Sequence, residues 1–221
     1  MYENLLNLPY FQGLSKEEIT KILDKVAFDF INYNSGDTIY TQDDSCNKFS
    51  ILIKGKIACI QSYNNEYSLY EILQAPYAIE PYSLFGGNTK YKKDYIAEEN
   101  CSILTFDKKY LFNELFKYDI FTINLLNIIS NRAQHTTALL WKRPSTSIEG
   151  RIAQFVQQRC ESYKGMKKLS IKMEQLGTAL CETRLNVSKA LNILNEKGVI
   201  ELRRKEIVIP SLENLIKSIE E

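Results

Sequence analysis

The sequence predicts an α+β protein, and three patterns predict it. Short apolar runs, largely alternating and punctuated by turns, extend from Ala27 to Phe106. Unbroken helical periodicity runs from about Tyr118 to Lys142. Two short helical patterns followed by a β-hairpin lie between Met173 and Ile209. Apolar residues spaced by two imply strands, and those at i, i+3, i+4 and i+7 imply helices. The expected divisions are 1–117, a β-rich domain with N-terminal helices; 118–143, one long helix; and 144–221, a helical domain with a hairpin.

Residues 1–26 read as helical. Ser15-Lys16-Glu17-Glu18 opens the second piece as a capping box, with Ile19, Ile22, Leu23 and Val26 as its buried stripe. In the β-rich stretch, turns are expected at Asn34-Ser35-Gly36-Asp37, Lys54-Gly55, Asn64-Asn65 and Phe85-Gly86-Gly87-Asn88. So many short strands in about 80 residues predict a barrel or sandwich.

The long helix carries two apolar stripes. Phe121, Leu125, Ile128, His135 and Leu139 mark one, with Arg132 between them; Ile123, Leu126, Ile129, Ala133, Thr137 and Leu140 mark the other. A helix apolar on two sides needs two partners. These are its own β-domain and the same helix of a second subunit. The subunit interface is assigned to Phe121, Leu125, Ile128, Arg132, His135 and Leu139. Pro144 stops the helix, and Ser145-Thr146-Ser147 caps the next, whose buried face is Ile148, Ile152, Phe155 and Val156. A loop is expected from Tyr163 to Lys168.

Leu176, Ala179 and Leu180 form the apolar side of the first short helix beyond it. Val187, Ala190, Leu191 and Leu194 form that of the second. Gly177 falls where the two would cross, Thr183 where a hydroxyl caps the second, and Gly198 just past its end. This is a helix-turn-helix, whose second helix can enter the DNA major groove. The outer face carries Arg184, Leu185, Asn186, Ser188, Lys189 and Asn192. Arg and Lys donate to guanine, and Asn pairs with adenine; Thr183 and the helix N-terminus suit a phosphate.

A solvated amphipathic helix is the commoner source of such a pattern. The hairpin that follows tips the balance, because it reads as the wing of a winged helix with Arg203, Arg204 and Lys205 at its tip. From Arg151 to Lys205 there are 12 Lys and Arg against five Asp and Glu, whereas the whole chain nets +1. Concentrated positive charge supplies the sequence-independent part of affinity for double-stranded DNA.

Composition closes other routes. No apolar run is long enough to cross a membrane, and the start Met-Tyr-Glu-Asn-Leu-Leu lacks a signal-peptide pattern, so a cytoplasmic location without membrane contact is expected. Cys46, Cys59, Cys101, Cys160 and Cys181 are scattered and form no Cys-x-x-Cys. That spacing indicates neither a disulfide framework nor a metal cluster, and leaves core packing or a redox-sensing thiol. His135 is the only histidine, no nucleotide-loop or nucleophile motif is present, and no catalytic or metal-binding residue is assigned.

This order of elements resembles the CRP/FNR family of bacterial transcription regulators. Gly36-Asp37-Thr38-Ile39, Ile53-Lys54-Gly55-Lys56-Ile57, Gly150-Arg151-Ile152-Ala153 and the helix-turn-helix carry the resemblance. It implies a β-roll sensor (a double-stranded β-helix of the cyclic-nucleotide-binding type) in 1–117, a dimerising helix in 118–143 and a winged helix-turn-helix in 144–221. Base reading falls on Arg184, Leu185 and Lys189, and backbone positioning on Thr183 and Asn186. Leu185 stands where many members carry Glu, and Lys189 where Arg is frequent, so an altered half-site is expected. The effector pocket falls on Glu80, Tyr82, Tyr91, Lys92, Thr136 and Thr137.

Tyr91-Lys92 replaces the family's phosphate-clamping Arg-Ser/Thr pair, and Pro81 removes a backbone donor. Cyclic AMP is therefore disfavoured, as is an iron–sulfur cluster, for want of an N-terminal cysteine group. No cofactor is required. An unidentified anionic or apolar small molecule, a redox signal, a side-chain-filled roll, or haem on His135, a cysteine, Met or Pro81 stay open. The expected partners are a pseudo-palindromic DNA operator and a second copy of the chain, with RNA polymerase as a further contact. The rival readings are a ligand-binding module acting through proteins and a cupin-like enzyme, the latter lacking its histidine cluster.

Overall fold

The structure, a computed structural model, describes residues 5, 8–63 and 66–220. The Asn64-Asn65 turn and most of the first N-terminal helical piece lie outside the described residues. Residues 1–57 with 74–135 form one compact unit, and 58–73 with 136–221 form another. The stretch 58–73, expected within 1–117, thus packs with the C-terminal unit.

The first unit opens with a 3₁₀ turn, Pro9–Phe11, and a helix, Lys16–Lys25. The capping box forms as the spacing predicts: the Ser15 hydroxyl accepts the Glu18 N–H at 3.3 Å, and Glu18 accepts the Ser15 N–H at 2.8 Å. The strands are β1 (Asp29–Tyr33), β2 (Thr38–Tyr40), β3 (Lys48–Lys54), β4 (Lys56–Tyr63), β5 (Tyr67–Gln74), β6 (Tyr77–Ile79), β7 (Asp94–Ala97) and β8 (Cys101–Asp107). An antiparallel sheet runs β1-β8-β3-β6, with Asp29 opposite Thr105 and Phe49 opposite Phe106; β2 pairs with β7. Phe49 and Phe106 stack at 5.1 Å and Tyr10 meets Phe49 edge-on at 5.0 Å, forming the aromatic centre of this core. Gly55 turns β3 into β4 at φ +88°, where a Cβ would lie 2.7 Å from the Asn100 carbonyl.

The long helix spans Asp119–Trp141. Its first stripe faces inward. Phe121 and Leu125 are buried, Phe121 packs 5.3 Å from the Phe11 ring, and Asn124 between them donates to the Tyr10 and Gln12 carbonyls. These two residues, expected at a subunit interface, are already buried within the protomer, Phe121 against Phe11. Ile128 and Leu139 are half-buried, His135 is exposed, and Arg132 lies 4.2 Å over the Tyr82 ring. On the other stripe Ile123 and Leu126 are 55% and 58% exposed, and Leu140 and Trp141 at the helix end are open as well.

In the second unit, a helix at Ile148–Gln157 is capped by Ser147, whose hydroxyl accepts the Gly150 N–H at 3.0 Å. β9 (Lys167–Ile171) follows, then helices Met173–Leu180 and Arg184–Glu196, strands β10 (Glu201–Arg203) and β11 (Glu206–Ile209), and a final helix, Leu212–Glu220. Ile152, Leu176, Val187, Leu191, Ile207 and Leu215 join one core. β9 lies where a loop was expected to end. Its sheet runs β10-β11-β9-β5-β4, so both edges of this short strand are paired.

Candidate nucleic-acid interface

Residues 173–196 fold as the sequence predicts. Thr183 caps the second helix, its hydroxyl accepting the Asn186 N–H at 3.2 Å. At Gly177 an added Cβ would sit 2.8 Å from the Glu182 carbonyl, so only glycine lets the turn close onto the first helix. Cys181 makes the break in the left-handed region, at φ +55°. Val187, Ala190, Leu191 and Leu194 face the core; Ala179, expected on the apolar side of the first helix, is exposed.

The second helix presents Arg184, Leu185, Asn186, Lys189 and Asn192 to solvent, with Ser188 half-buried. Leu185 is 64% exposed, an apolar side chain that the protomer does not cover and that matches a thymine methyl in chemistry. Arg184 pairs with Glu174 at 3.0 Å, both well exposed, a contact weak enough for DNA to displace. Asn186 is held in place: its amide donates to one Glu182 oxygen at 3.0 Å, while Arg151 donates to the other. Arg151 also donates to the Leu180 carbonyl at 2.9 Å. These contacts hold the Glu182 carboxyl below its ordinary range, the Asn186 amide first and then Arg151. Sequence reasoning assigned no role to Arg151 or Glu182; the Gly150-Arg151 motif was their only signal.

Across the wing Arg203 stands opposite Glu206, with Arg204 and Lys205 forming the exposed turn. The Leu202 N–H donates to the Asn195 side chain at 3.1 Å, tying the wing to the end of the second helix. Helix face and basic tip therefore belong to one packed body.

The residues assigned to an effector pocket have a different character. Glu80 is fully buried at φ +40°, and its carboxylate is occupied: it accepts the Lys92 N–H at 2.9 Å, the Ser83 hydroxyl at 2.7 Å and the Tyr95 hydroxyl at 3.1 Å. Tyr91 is buried and stacks on Tyr40 at 4.2 Å, and burial pushes its phenol far up. Tyr40 continues to Ser50 at 2.6 Å and Ser50 to Thr105 at 3.1 Å. Glu80 and Tyr91 are thus buried and engaged with neighbouring side chains and backbone. Tyr82 sits under Arg132, whose guanidinium donates to its hydroxyl at 3.3 Å; Thr136 and Thr137 are exposed.

Among the described residues, no three His, Cys, Asp or Glu gather as a metal site, and no helix is long and apolar enough to cross a membrane.

Residues 150–218 match the family described as Crp-like helix-turn-helix domain, and residues 30–118 match the Cyclic nucleotide-binding domain. The chain belongs to the CRP/FNR family of transcription regulators. Among solved structures, this CRP/FNR chain is similar in fold to the catabolite activator protein of Thermus thermophilus, with 18% identity over 96% of this chain and 100% of that chain and a TM-score of 0.50. A CooA variant from Carboxydothermus hydrogenoformans matches at 19% identity over 97% of this chain and 95% of that chain, also with a TM-score of 0.50. No curated protein sequence matches significantly. In this CRP/FNR chain the Glu80 carboxylate accepts from Lys92, Ser83 and Tyr95, and Tyr91-Lys92 carries no guanidinium for a bidentate phosphate contact.

Proposed function

We propose that the protein acts as a homodimer on a pseudo-palindromic operator, with Arg184, Leu185 and Lys189 reading bases. Thr183, Asn186, Ser188, Arg203 and Arg204 contact the backbone. The observation that carries this reading is the exposed polar face of the capped second helix, joined to a basic wing in one packed unit. The exposed Ile123–Leu126 stripe of the long helix is the surface for the second copy, because a soluble chain covers such a stripe. The sensor takes a signal other than a cyclic nucleotide, either a small molecule or a redox change, and the protein works in the cytoplasm alongside its operator and RNA polymerase. No residue is assigned to catalysis.

The test is selection of binding sites from a random duplex pool, followed by footprinting. Arg184→Ala should lose about 1–3 kcal/mol of operator affinity and relax selection at one base position per half-site. A footprint and selected sequence identical to wild type would overturn the base-reading assignment.

A further inference from the structure

Residues 58–73 lie inside the stretch that matches the cyclic nucleotide-binding family, yet they pack in the same unit as the winged helix. β5 runs antiparallel to β9 from Tyr67 opposite Ile171 to Glu71 opposite Lys167. The Ile72 N–H extends the ladder to the Met166 carbonyl at 3.2 Å. Leu69 is buried in the winged-helix core, and the Tyr67 hydroxyl accepts from Arg159 at 2.8 Å. Main-chain pairing of this kind supplies adhesion without choosing a register.

The register is chosen at the end of the ladder. Glu71 and Lys167 are buried and 3.3 Å apart. Glu71 also accepts the N–H groups of Glu161 and Ser162 at 2.7 Å each, and Lys167 donates to the Lys164 and Gly165 carbonyls at 2.6 and 3.1 Å. A slip of β5 by one residue would carry Glu71 to the other face and take its carboxylate away from Lys167 and from the Glu161 and Ser162 N–H groups. Such a pair adds little net stability over apolar packing, but losing one partner leaves a lone buried charge. Only Lys172 separates β9 from the first helix of the helix-turn-helix, so whatever holds β9 holds that motif.

We propose that Glu71 and Lys167 are positioning residues for DNA recognition. They pin β5 in register on β9, and so fix the helix-turn-helix to a hairpin whose two ends run directly into the sensor sequence. Docked and released β5 are the two states through which a change in the sensor alters DNA affinity. The inference rests on the reading of the protein as a sequence-specific DNA binder.

The experiment pairs hydrogen exchange on the full-length protein with its affinity for the selected operator. Glu71→Gln should raise amide exchange in 161–171 at least tenfold and change the operator dissociation constant at least fivefold. Glu71→Gln combined with Lys167→Met, which leaves no lone charge, should bring both readouts back toward wild type. Ser68 and Ser170 face each other across the ladder. Changing both to Cys in the Glu71→Gln protein, with Cys160→Ser and Cys181→Ser, should restore affinity when oxidised and lose it on reduction. Should Glu71→Gln fail to fold, Lys167→Met is the milder variant, since Glu71 keeps its two backbone donors, and it must show the same paired change. Exchange that rises while affinity stays within twofold of wild type overturns the proposal alone, as does exchange that does not rise. A wild-type protein that selects no DNA sequence overturns the functional reading and the proposal together.

Discussion

Cys181 holds the turn of the helix-turn-helix at φ +55°, a conformation that costs a side-chain-bearing residue roughly 1 kcal/mol and glycine almost nothing. Cys181→Gly should therefore stabilise the protein by about 1 kcal/mol, raising the melting temperature by roughly 2–4 °C in a chain of this size. Operator affinity should stay as in wild type, and calorimetry with a binding titration checks both. At several single residues the sequence was legible because local geometry restricts identity. Gly177 at the crossing, Thr183 at the cap and the Ser15–Glu18 box occupy the positions their chemistry requires. It was least legible at Glu80, whose partners lie up to fifteen residues away and leave no mark in the local sequence. Its carboxylate accepts from Lys92, Ser83 and Tyr95.

At the scale of elements, the long helix is the instructive case. Its two apolar stripes are plain in the sequence, but periodicity does not say which is covered from within. Phe11 and the carbonyls of Tyr10 and Gln12 decide it, contacts made by residues more than a hundred positions away. With Phe121 and Leu125 covered, the exposed stripe makes a sharp prediction. Leu126→Glu should leave the protomer folded, since the side chain is already in solvent, while shifting sedimentation from dimer to monomer. It should also weaken operator binding at least tenfold through loss of the second half-site. Circular dichroism with analytical ultracentrifugation separates those effects. β9 escaped sequence analysis for a related reason. Lys167-Lys168-Leu169-Ser170-Ile171 is short, and its first residue is a lysine buried only because Glu71 lies opposite.

For the molecule as a whole, near-neutral net charge conceals a strong division, with seven excess positive charges between Arg151 and Lys205. Affinity for any duplex should therefore fall steeply with salt. A dimer neutralising about six phosphates would lose on the order of 10³ in affinity between roughly 50 and 200 mM salt, and titrations at several salt concentrations give the slope. The preference for the selected operator over random duplex should survive that change, because base-edge contacts release few counterions. The pairing of β5 with β9 also bears on how this chain is made. Glu71 and Glu161 are 90 positions apart, so the ribosome finishes the hairpin long before the strand that completes its sheet. A fragment beginning after the long helix would emerge with one edge of β9 bare and Lys167 robbed of its counter-charge. Bare edges of that kind recruit other chains. The β4–β5 hairpin thus covers an edge that the C-terminal strands alone would leave open.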